Sequence, residues 1–224
     1  MDFEILYEDK YLLVANKPCG VISQDSEGEC FPKMIKEKLS LDYLGVVHRL
    51  DTTTSGLILY SKDKKYTGKI SELVASVGYY KEYLAVADGV VPFSECDKNG
   101  NGRVELCDFL YHDKMKNKSF VVKGERKGAK RAILEYSTLG VAKNAKGEQK
   151  SLVSVHLVTG RTHQIRVQLA SRGNPLAGDG KYGSRDNGTA AALHSYRCVF
   201  IHPVTNKRIE LTCEPEDKYP WNIF

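Results

Sequence analysis

The sequence lacks a run of roughly eighteen apolar residues, the length that a membrane-spanning helix requires. Residues 1–18 carry acidic side chains early and have no basic segment before an apolar one, so they lack the pattern of a secretory signal peptide. Internal repeats and low-complexity tracts are also missing. These absences predict a cytoplasmic globular protein without a membrane partner, and 224 residues suffice for a well-formed core.

The cysteines lack any recognisable spacing. There is no C-x-x-C pair and no arrangement typical of a zinc site, so we predict reduced, partly buried thiols and no metal centre. The six residues are Cys19, Cys30, Cys96, Cys107, Cys198 and Cys213.

Positive charge exceeds negative charge, with a net charge of +5 and a pI near 8.7. This balance permits a polyanionic partner. Eight Lys or Arg residues fall between Lys114 and Arg131, and a smaller group comprises Lys62, Lys64 and Lys65. Each group can be an ordinary solvated face or a surface for phosphate, and charge alone leaves both interpretations open.

Short β-rich runs predominate over helical patterns, which predicts an α+β fold with a largely antiparallel or mixed sheet. We interpret the chain as a single domain, residues 1–224, with a turn-rich, exposed excursion at about 92–131 that is most marked at 93–108. The predicted strands are Phe3–Tyr7, Tyr11–Ala15, Leu57–Ser61, Tyr83–Ala87, Phe120–Val122, Ile133–Tyr136 and Leu152–Leu157.

Three segments have helical periodicity: Lys33–Leu39, Thr67–Val77 and Thr162–Ser171. The last is the clearest. Thr162 is placed to act as its N-cap and Gly173 to end it.

A polar segment interrupts apolar chain at residues 44–61, LGVVHRLDTTTSGLILYS. It places Asp51 on a loop between two buried elements. The hydroxyls of Thr52, Thr53, Thr54 and Ser55, together with backbone amides, are expected to hold the carboxylate ionised and oriented. The alternative is an Asx-turn that closes a loop.

Two other enzyme classes are excluded by missing residues. A kinase catalytic loop needs H-R-D with an Asn five residues later, but Leu50 separates Arg49 from Asp51 and no D-F-G is present. A glycosidase needs a second placed carboxylate, which no motif supplies.

A second motif, residues 157–183, reads LVTGRTHQIRVQLASRGNPLAGDGKYG. Gly160 allows a tight turn, with Arg161 before the predicted helix and Arg166 in its first turns. Because a cation near a helix N-terminus opposes the macrodipole, Arg166 is expected to have an anionic partner, either a phosphate or a buried carboxylate.

These motifs resemble a known family. HRLDTTTSGLILYSK, KEYLAVADG and TGRTHQIRVQLASRGNPLAGDGKYG are similar to three successive motifs of the RluA-type RNA pseudouridine synthases. ILYEDKYLLVANKPCGV resembles the opening strands of that family, and LHSYRCVFIHPVTNKRIEL resembles its closing segment. The resemblance covers most of the chain apart from roughly residues 92–131.

The resemblance implies the pseudouridine synthase catalytic fold, a mixed and mostly antiparallel central sheet with flanking helices and an active-site cleft across it. Asp51 matches the catalytic aspartate, Tyr83 the active-site tyrosine, and Arg166 the arginine that pairs with the aspartate. No metal or organic cofactor is implied. Gln168 departs from the family, since many relatives have His there, and this change concerns helix packing or RNA contact more than chemistry.

The implied partner is RNA, either rRNA or tRNA, bound by a monomer. Other motif residues are expected to contact the substrate or RNA: Arg49, His48, Arg161, His163, Gln164 and Lys81. We expect no N-terminal S4-type RNA-binding domain, which some relatives have, and we therefore expect affinity to come from the catalytic domain. The competing hypothesis is a catalytically idle RNA-binding protein on the same fold.

Residues 97–108, DKNGNGRVELCD, match several ligand positions of an EF-hand calcium loop. Position 12 is Asp108 rather than Glu, and neither flank has a helical pattern. Asn and Gly also favour hairpin turns, so we do not expect calcium binding here.

Overall fold

The computed structural model describes residues 2–93, 102–186 and 190–224, and these contain eleven strands and three α-helices. The chain divides into two compact units, one formed by Met1–Lys81 with His194–Pro215 and the other by Glu82–Leu193 with Glu216–Phe224. The single domain of residues 1–224 therefore stays a prediction. Among the described helices, none is both long and apolar enough to cross a membrane.

The strands are β1 (Ile5–Glu8), β2 (Leu12–Lys17), β3 (Gly45–Val46), β4 (Ser55–Ser61), β5 (Tyr80–Asp88), β6 (Val104–Asp113), β7 (Lys118–Val122), β8 (Ala129–Lys143), β9 (Gln149–Leu157), β10 (Leu193–Ile201) and β11 (Arg208–Thr212). The helices are α1 (Phe31–Leu39), α2 (Thr67–Ala75) and α3 (Gln164–Ala170), with short 3₁₀ turns at Gly180–Tyr182 and Trp221–Ile223.

The first unit has the strand order β1–β2–β4–β10–β11, with β3 on β4. All these pairs are antiparallel except β4 with β10, which run parallel. Apolar side chains of the strands pack against one face of α2 and form the core, because both surfaces must be removed from water. Its members include Leu12, Leu57, Ile70, Val74 and Phe200.

The second unit has the order β5–β9–β8–β6–β7, and every pair is antiparallel. α3 contacts β6 and β7. Leu110, Ala132 and Val167 form an apolar cluster there, with Tyr182 packed against it. The helix is buried on all sides from Gln164 to Leu169, so its polar residues must find partners inside the protein.

The structure confirms the α+β class and corrects several boundaries. The predicted excursion at about 92–131 is paired strand from Val104 onward, in β6, β7 and the start of β8. Thr162 is not an N-cap: α3 begins at Gln164 and follows His163, whose φ is 55°. The Gln164 side chain, rather than the Thr162 hydroxyl, accepts the loop N–H of Arg161 at 2.9 Å.

Candidate active site

Asp51 lies, half-buried, on the loop between β3 and β4 in the first unit. The residue before it is fixed at both backbone groups, because the Ser23 hydroxyl donates to the Leu50 carbonyl (2.7 Å) and accepts the Leu50 N–H (3.0 Å). After it, the Thr54 N–H donates to the Asp51 carbonyl at 2.9 Å and closes a turn. The backbone of this loop is therefore held on both sides of the aspartate.

Lys17, at the end of β2, is a second anchor for this loop. Its side chain is fully buried, and Nζ donates to the carbonyls of Pro18 (2.8 Å), Val21 (2.8 Å) and Thr52 (3.3 Å). Burial lowers the pKa of Lys17 to about 8, while electrostatic interactions with Cys19 and Asp51 oppose that shift. A cation thus lies near Asp51, on the Thr52 side of the loop.

The loop hydroxyls do not act as expected. Ser55 Oγ lies 2.8 Å from Nδ1 of His194 and so joins β4 to β10. Thr53 Oγ1 is buried without a hydrogen-bond partner among the described residues. The prediction that these two hydroxyls hold the carboxylate is wrong. The loop is held instead through its backbone, by Ser23 and Lys17, which come from distant parts of the chain.

Gly56 begins the buried part of β4 and allows the two parallel strands to approach closely. Its φ is +100°, and a Cβ there would lie 2.4 Å from the carbonyl oxygen of Ser195 in β10. Any side chain would push β10 away from β4. The close approach of β10 therefore gives a steric reason for glycine at position 56.

Arg166 lies in α3 of the second unit and is buried, with 6% of its surface exposed. Asp179, which is 2% exposed, accepts two hydrogen bonds from it, from Nε to Oδ2 (2.6 Å) and from Nη2 to Oδ1 (2.8 Å). The expectation of an anionic partner is confirmed in Asp179, a residue to which the sequence reasoning assigned no role. Its position between Gly178 and Gly180 signals a turn but not a charge partner.

The ring of Tyr182 covers this arginine. The guanidinium carbon of Arg166 lies 5.1 Å from the ring centroid, a cation–π distance. The Tyr182 hydroxyl accepts the Ser119 N–H at 2.8 Å and lies 2.9 Å from Nδ1 of His163. The loop before α3, the 3₁₀ turn and β7 therefore meet at one tyrosine.

Tyr83 lies in β5 of the second unit, opposite Val155 of β9, and is 7% exposed. The neighbouring Glu82, which points to the other face of the strand, accepts a hydrogen bond from Arg103 at 2.8 Å. The tyrosine is thus carried by a paired strand, which restricts the movement of its backbone.

The motif residues expected to contact RNA have varied surroundings. Arg49 is exposed, and so is Arg161, whose Nε donates to the Arg131 carbonyl at 3.0 Å. His48 Nε2 accepts the Leu59 N–H at 2.9 Å, and burial together with the nearby charge of Lys81 lowers the pKa of His48 to about 3. This imidazole is therefore neutral.

Three others are engaged within the protein. Gln164 accepts from Thr159 Oγ1 (2.8 Å) and donates to the Ile133 carbonyl (3.0 Å), so its amide supports the loop before α3. Lys81 donates to the Val74 carbonyl at 3.3 Å, and burial lowers its pKa. His163 is buried at the start of α3. Their contact with RNA stays a prediction.

The calcium-like stretch lies only partly in the described structure. Residues 97–101 are outside the described residues, whereas Glu105 and Asp108 belong to β6. Asp108 accepts hydrogen bonds from Gln168 (2.7 Å) and Arg172 (3.0 Å). This carboxylate therefore has protein partners on α3 and just after it.

Comparisons with known proteins place the chain in a family. Residues 11–171 match the family model of RNA pseudouridylate synthase. The chain is 30% identical to ribosomal large subunit pseudouridine synthase D of Zymomonas mobilis, over 96% of this chain and 70% of that protein. It is 31% identical to the RNA pseudouridine synthase YlyB of Bacillus subtilis, over 97% of this chain and 71% of that protein. Against synthase D of Neisseria meningitidis serogroup A, it is 30% identical over 98% of this chain and 60% of that protein.

A solved structure has the same fold. Human RNA Pseudouridylate Synthase Domain Containing 1 matches with a TM-score of 0.78 at 22% identity, covering 96% of this chain and 84% of that one. The family match and the relatives define the class of protein as a pseudouridine synthase. The chain belongs to the RNA pseudouridylate synthase family, in its RluA-type branch, and is an isomerase.

Proposed function

We propose that this protein isomerises uridine to pseudouridine within rRNA or tRNA, with Asp51 as the catalytic carboxylate and without a cofactor. The family match over residues 11–171 carries the proposal, since it spans all the motif residues assigned here: Asp51, Tyr83 and Arg166. The fixed backbone on both sides of Asp51 supports it, because a catalytic carboxylate must be held in position.

The reaction requires one bond to break and another to form. The N1–C1′ bond is cleaved, the uracil rotates, C5 joins C1′, and the proton on C5 leaves as N1 gains one. Positive charge develops on the sugar and negative charge on the base. The target base must also leave its stack, at a cost of a few kcal/mol.

An ionised Asp51 suits this chemistry in either of two routes. It can attack C1′ as a nucleophile or remove a proton at C2′ as a base. In this proposal Arg166 pairs with Asp51 and stabilises its charged form. The Lys17 ammonium supplies a further positive charge near the loop.

Tyr83 and Arg49 have supporting roles in the proposal. The Tyr83 ring offers a flat face for the uracil, and its hydroxyl is available for proton transfer at C5 or C2′. Arg49 is exposed two residues before Asp51. It fills the gap left by the extruded base or binds a neighbouring phosphate.

The basic segment, residues 114–131, is proposed to bind the RNA backbone. All its lysines and arginines except the half-buried Lys118 are exposed. Within the described residues, none of the eight has a carboxylate partner, whereas Arg172 pairs with Asp108 and Arg197 with Glu210. Positive charge without salt bridges, carried by β7, the start of β8 and the turns that border them, is typical of a phosphate-binding surface.

The names of relatives, several of which are ribosomal large subunit synthases, support rRNA as one of the two RNA classes proposed. We propose rRNA or tRNA as the substrate, a monomer as the working form and the cytoplasm as the location. The alternative, an idle RNA-binding protein, has less support because the aspartate and the tyrosine are both present.

A tritium-release assay on RNA carrying 5-tritiated uridine tests the function directly. We expect Asp51→Asn to abolish release while RNA affinity stays near that of the wild type, since the substitution is nearly isosteric. Full activity of Asp51→Asn would sink the assignment. Wild-type protein that binds RNA but releases no tritium from any rRNA or tRNA would favour the idle RNA-binding alternative.

A further inference from the structure

The most constrained charged group in the second unit is the Arg166 guanidinium. It is buried, yet arginine has four rotatable side-chain bonds, so burial alone does not set its direction. Two neighbours do. Asp179 holds one edge of the guanidinium, and the ring of Tyr182 covers one of its faces.

Asp179 occupies the edge of the guanidinium formed by Nε and Nη2, and this sets the orientation of the group. Its two oxygens take the Nε and Nη2 hydrogens, so the plane of the guanidinium and the direction of Nη1 are both fixed. A second carboxylate that pairs with this arginine must approach at the Nη end. Asp179 thus leaves a single direction from which the arginine can meet a catalytic carboxylate.

Asp179 is itself fixed by the backbone of its turn. Its carbonyl accepts the N–H groups of Tyr182 (3.0 Å) and Ser184 (3.1 Å). The Ser184 hydroxyl donates to Asp88 Oδ2 at 2.7 Å, and Ser184 Oγ accepts the Gly178 N–H at 3.2 Å. The turn is therefore fastened to β5, which also carries Tyr83.

Tyr182 is fixed through its hydroxyl. The Ser119 N–H of β7 donates to it, and Ser119 Oγ donates to the Thr162 carbonyl just before α3 at 2.6 Å. The ring therefore cannot swing away from Arg166 without breaking contacts with β7.

We propose that Asp179 and Tyr182 are positioning residues that hold the Arg166 guanidinium in the orientation it needs to pair with the catalytic carboxylate. The proposal rests on the proposed function, in which Arg166 acts on Asp51. Its physical basis is that a misplacement of about 1 Å in an active site can cost about 100-fold in rate.

Asp179→Asn is the first test. The amide keeps the size of the side chain but replaces one acceptor with a donor that faces the guanidinium, so the two-point contact is lost. We expect kcat for tritium release to fall between about 10- and 100-fold, with KM and RNA affinity nearly unchanged. Asp108→Asn is the matched control, since it disturbs the pair between Asp108 of β6 and Arg172, which follows α3, but leaves the Arg166–Asp179 pair intact; it should retain wild-type kcat.

Chemical rescue is the second test and separates positioning from folding. Arg166→Ala removes the side chain but leaves Asp179 and Tyr182 around the vacated space. We expect millimolar guanidinium ion to restore part of its activity, and methylammonium, which cannot bind a carboxylate through two parallel N–H bonds, to restore less. The double variant Arg166→Ala/Asp179→Asn should not be rescued.

The outcomes distinguish this inference from the proposed function. If Asp51→Asn stays active, the assignment of the catalytic carboxylate fails. If Asp51→Asn is inactive while Asp179→Asn has wild-type kcat, the positioning role alone is wrong. Rescue of the double variant as effective as that of Arg166→Ala would overturn the role of Asp179 as well.

Discussion

At the residue scale, the loop of Asp51 is held by groups that bind backbone. Ser23 satisfies both the N–H and the carbonyl of Leu50, and Lys17 donates to the Thr52 carbonyl. Contacts of this kind fix where the loop runs on both sides of Asp51. A catalytic carboxylate on a loop needs such support, because an unsupported loop would have to be ordered, at a cost in conformational entropy, in each catalytic cycle.

Arg49→Ala tests the residue next to this support. If Arg49 replaces the extruded base or binds a phosphate, its loss removes at least one charge-assisted hydrogen bond, worth about 1.5 kcal/mol. We therefore expect kcat/KM for tritium release to fall about 10-fold. Arg208→Ala, which changes an exposed arginine of β11 in the same unit, is the control and should have little effect. Unchanged RNA affinity and turnover in Arg49→Ala would exclude both roles.

The active-site roles of Asp51, Tyr83 and Arg166 stay predictions that rest on motif resemblance, and the residues that hold the Asp51 loop were not predicted. Lys17 and Thr52 are 35 residues apart, and Ser23 and Leu50 are 27 apart. No local periodicity connects such pairs, since contacts of this kind are created by the packing of strands. One partner was predicted in part. The electrostatics of a helix N-terminus predicted that Arg166 has an anionic partner, but not that this partner is Asp179.

At the element scale, the basic segment includes β7 of the β6–β7 hairpin, which contacts the 3₁₀ turn at Gly180–Tyr182. Ser119 and Lys118 of β7 both contact Tyr182, through a hydrogen bond and a cation–π contact at 5.2 Å. Lys181 of the 3₁₀ turn donates to the Asn117 carbonyl at 3.0 Å. The proposed RNA-binding hairpin is therefore attached to the elements that hold Arg166.

Charge reversal in this segment should weaken RNA binding in a salt-dependent manner. Each lost phosphate contact lowers the slope of log K against log salt by about 0.7 to 0.9. We expect Lys123→Glu/Lys127→Glu to reduce the slope by about twice that amount and to raise KM more than it lowers kcat. The measurement is RNA affinity by filter binding across a salt series.

Lys69→Glu/Lys207→Glu is the matched control, because both lysines are exposed and lie in the other unit. An equal change of slope in both double variants would mean that the basic segment acts only through the net charge of the protein. A slope that changes in neither would exclude phosphate contact at Lys123 and Lys127.

The strands that the sequence identified correctly are those with strong apolar content, such as β2 and β4. β6 was missed because polar residues alternate through VELCDFLYHD and a turn-rich stretch precedes it. The segment is a strand because it pairs with β8, which lies about 25 residues later in the chain. The start of α3 was misplaced for a related reason, since a buried glutamine supplied the hydrogen bond that Thr162 was expected to supply.

At the scale of the whole molecule, two buried lysines contribute to stability in opposite ways. Burial alone would lower the pKa of Lys150, but hydrogen bonds to Asp88 and Asp186 raise it overall. Lys17 has three carbonyls instead, and desolvation prevails. The first lysine therefore favours its charged form in the folded protein, whereas the second retains its charge at a cost in folding free energy.

The cost at Lys17 predicts an unusual pH dependence. A lysine whose pKa falls from 10.5 to about 8 on folding binds fewer protons in the folded state than in the unfolded state between these values. Stability attributable to Lys17 therefore rises with pH across this window, and the penalty is fully present below pH 8. Between pH 7 and 10 the gain is about 2 kcal/mol, since one pKa unit corresponds to about 1.4 kcal/mol.

Urea unfolding of the wild type and of Lys17→Met at pH 7, 8, 9 and 10 isolates this contribution, because all other titrating groups are common to both proteins. The methionine also loses the hydrogen bonds to carbonyls, which shifts the difference by an amount that does not vary with pH. We expect the free energy of unfolding of the wild type to rise relative to that of Lys17→Met as the pH increases. A constant difference would mean that Lys17 keeps its proton throughout, and that the three carbonyls outweigh its desolvation.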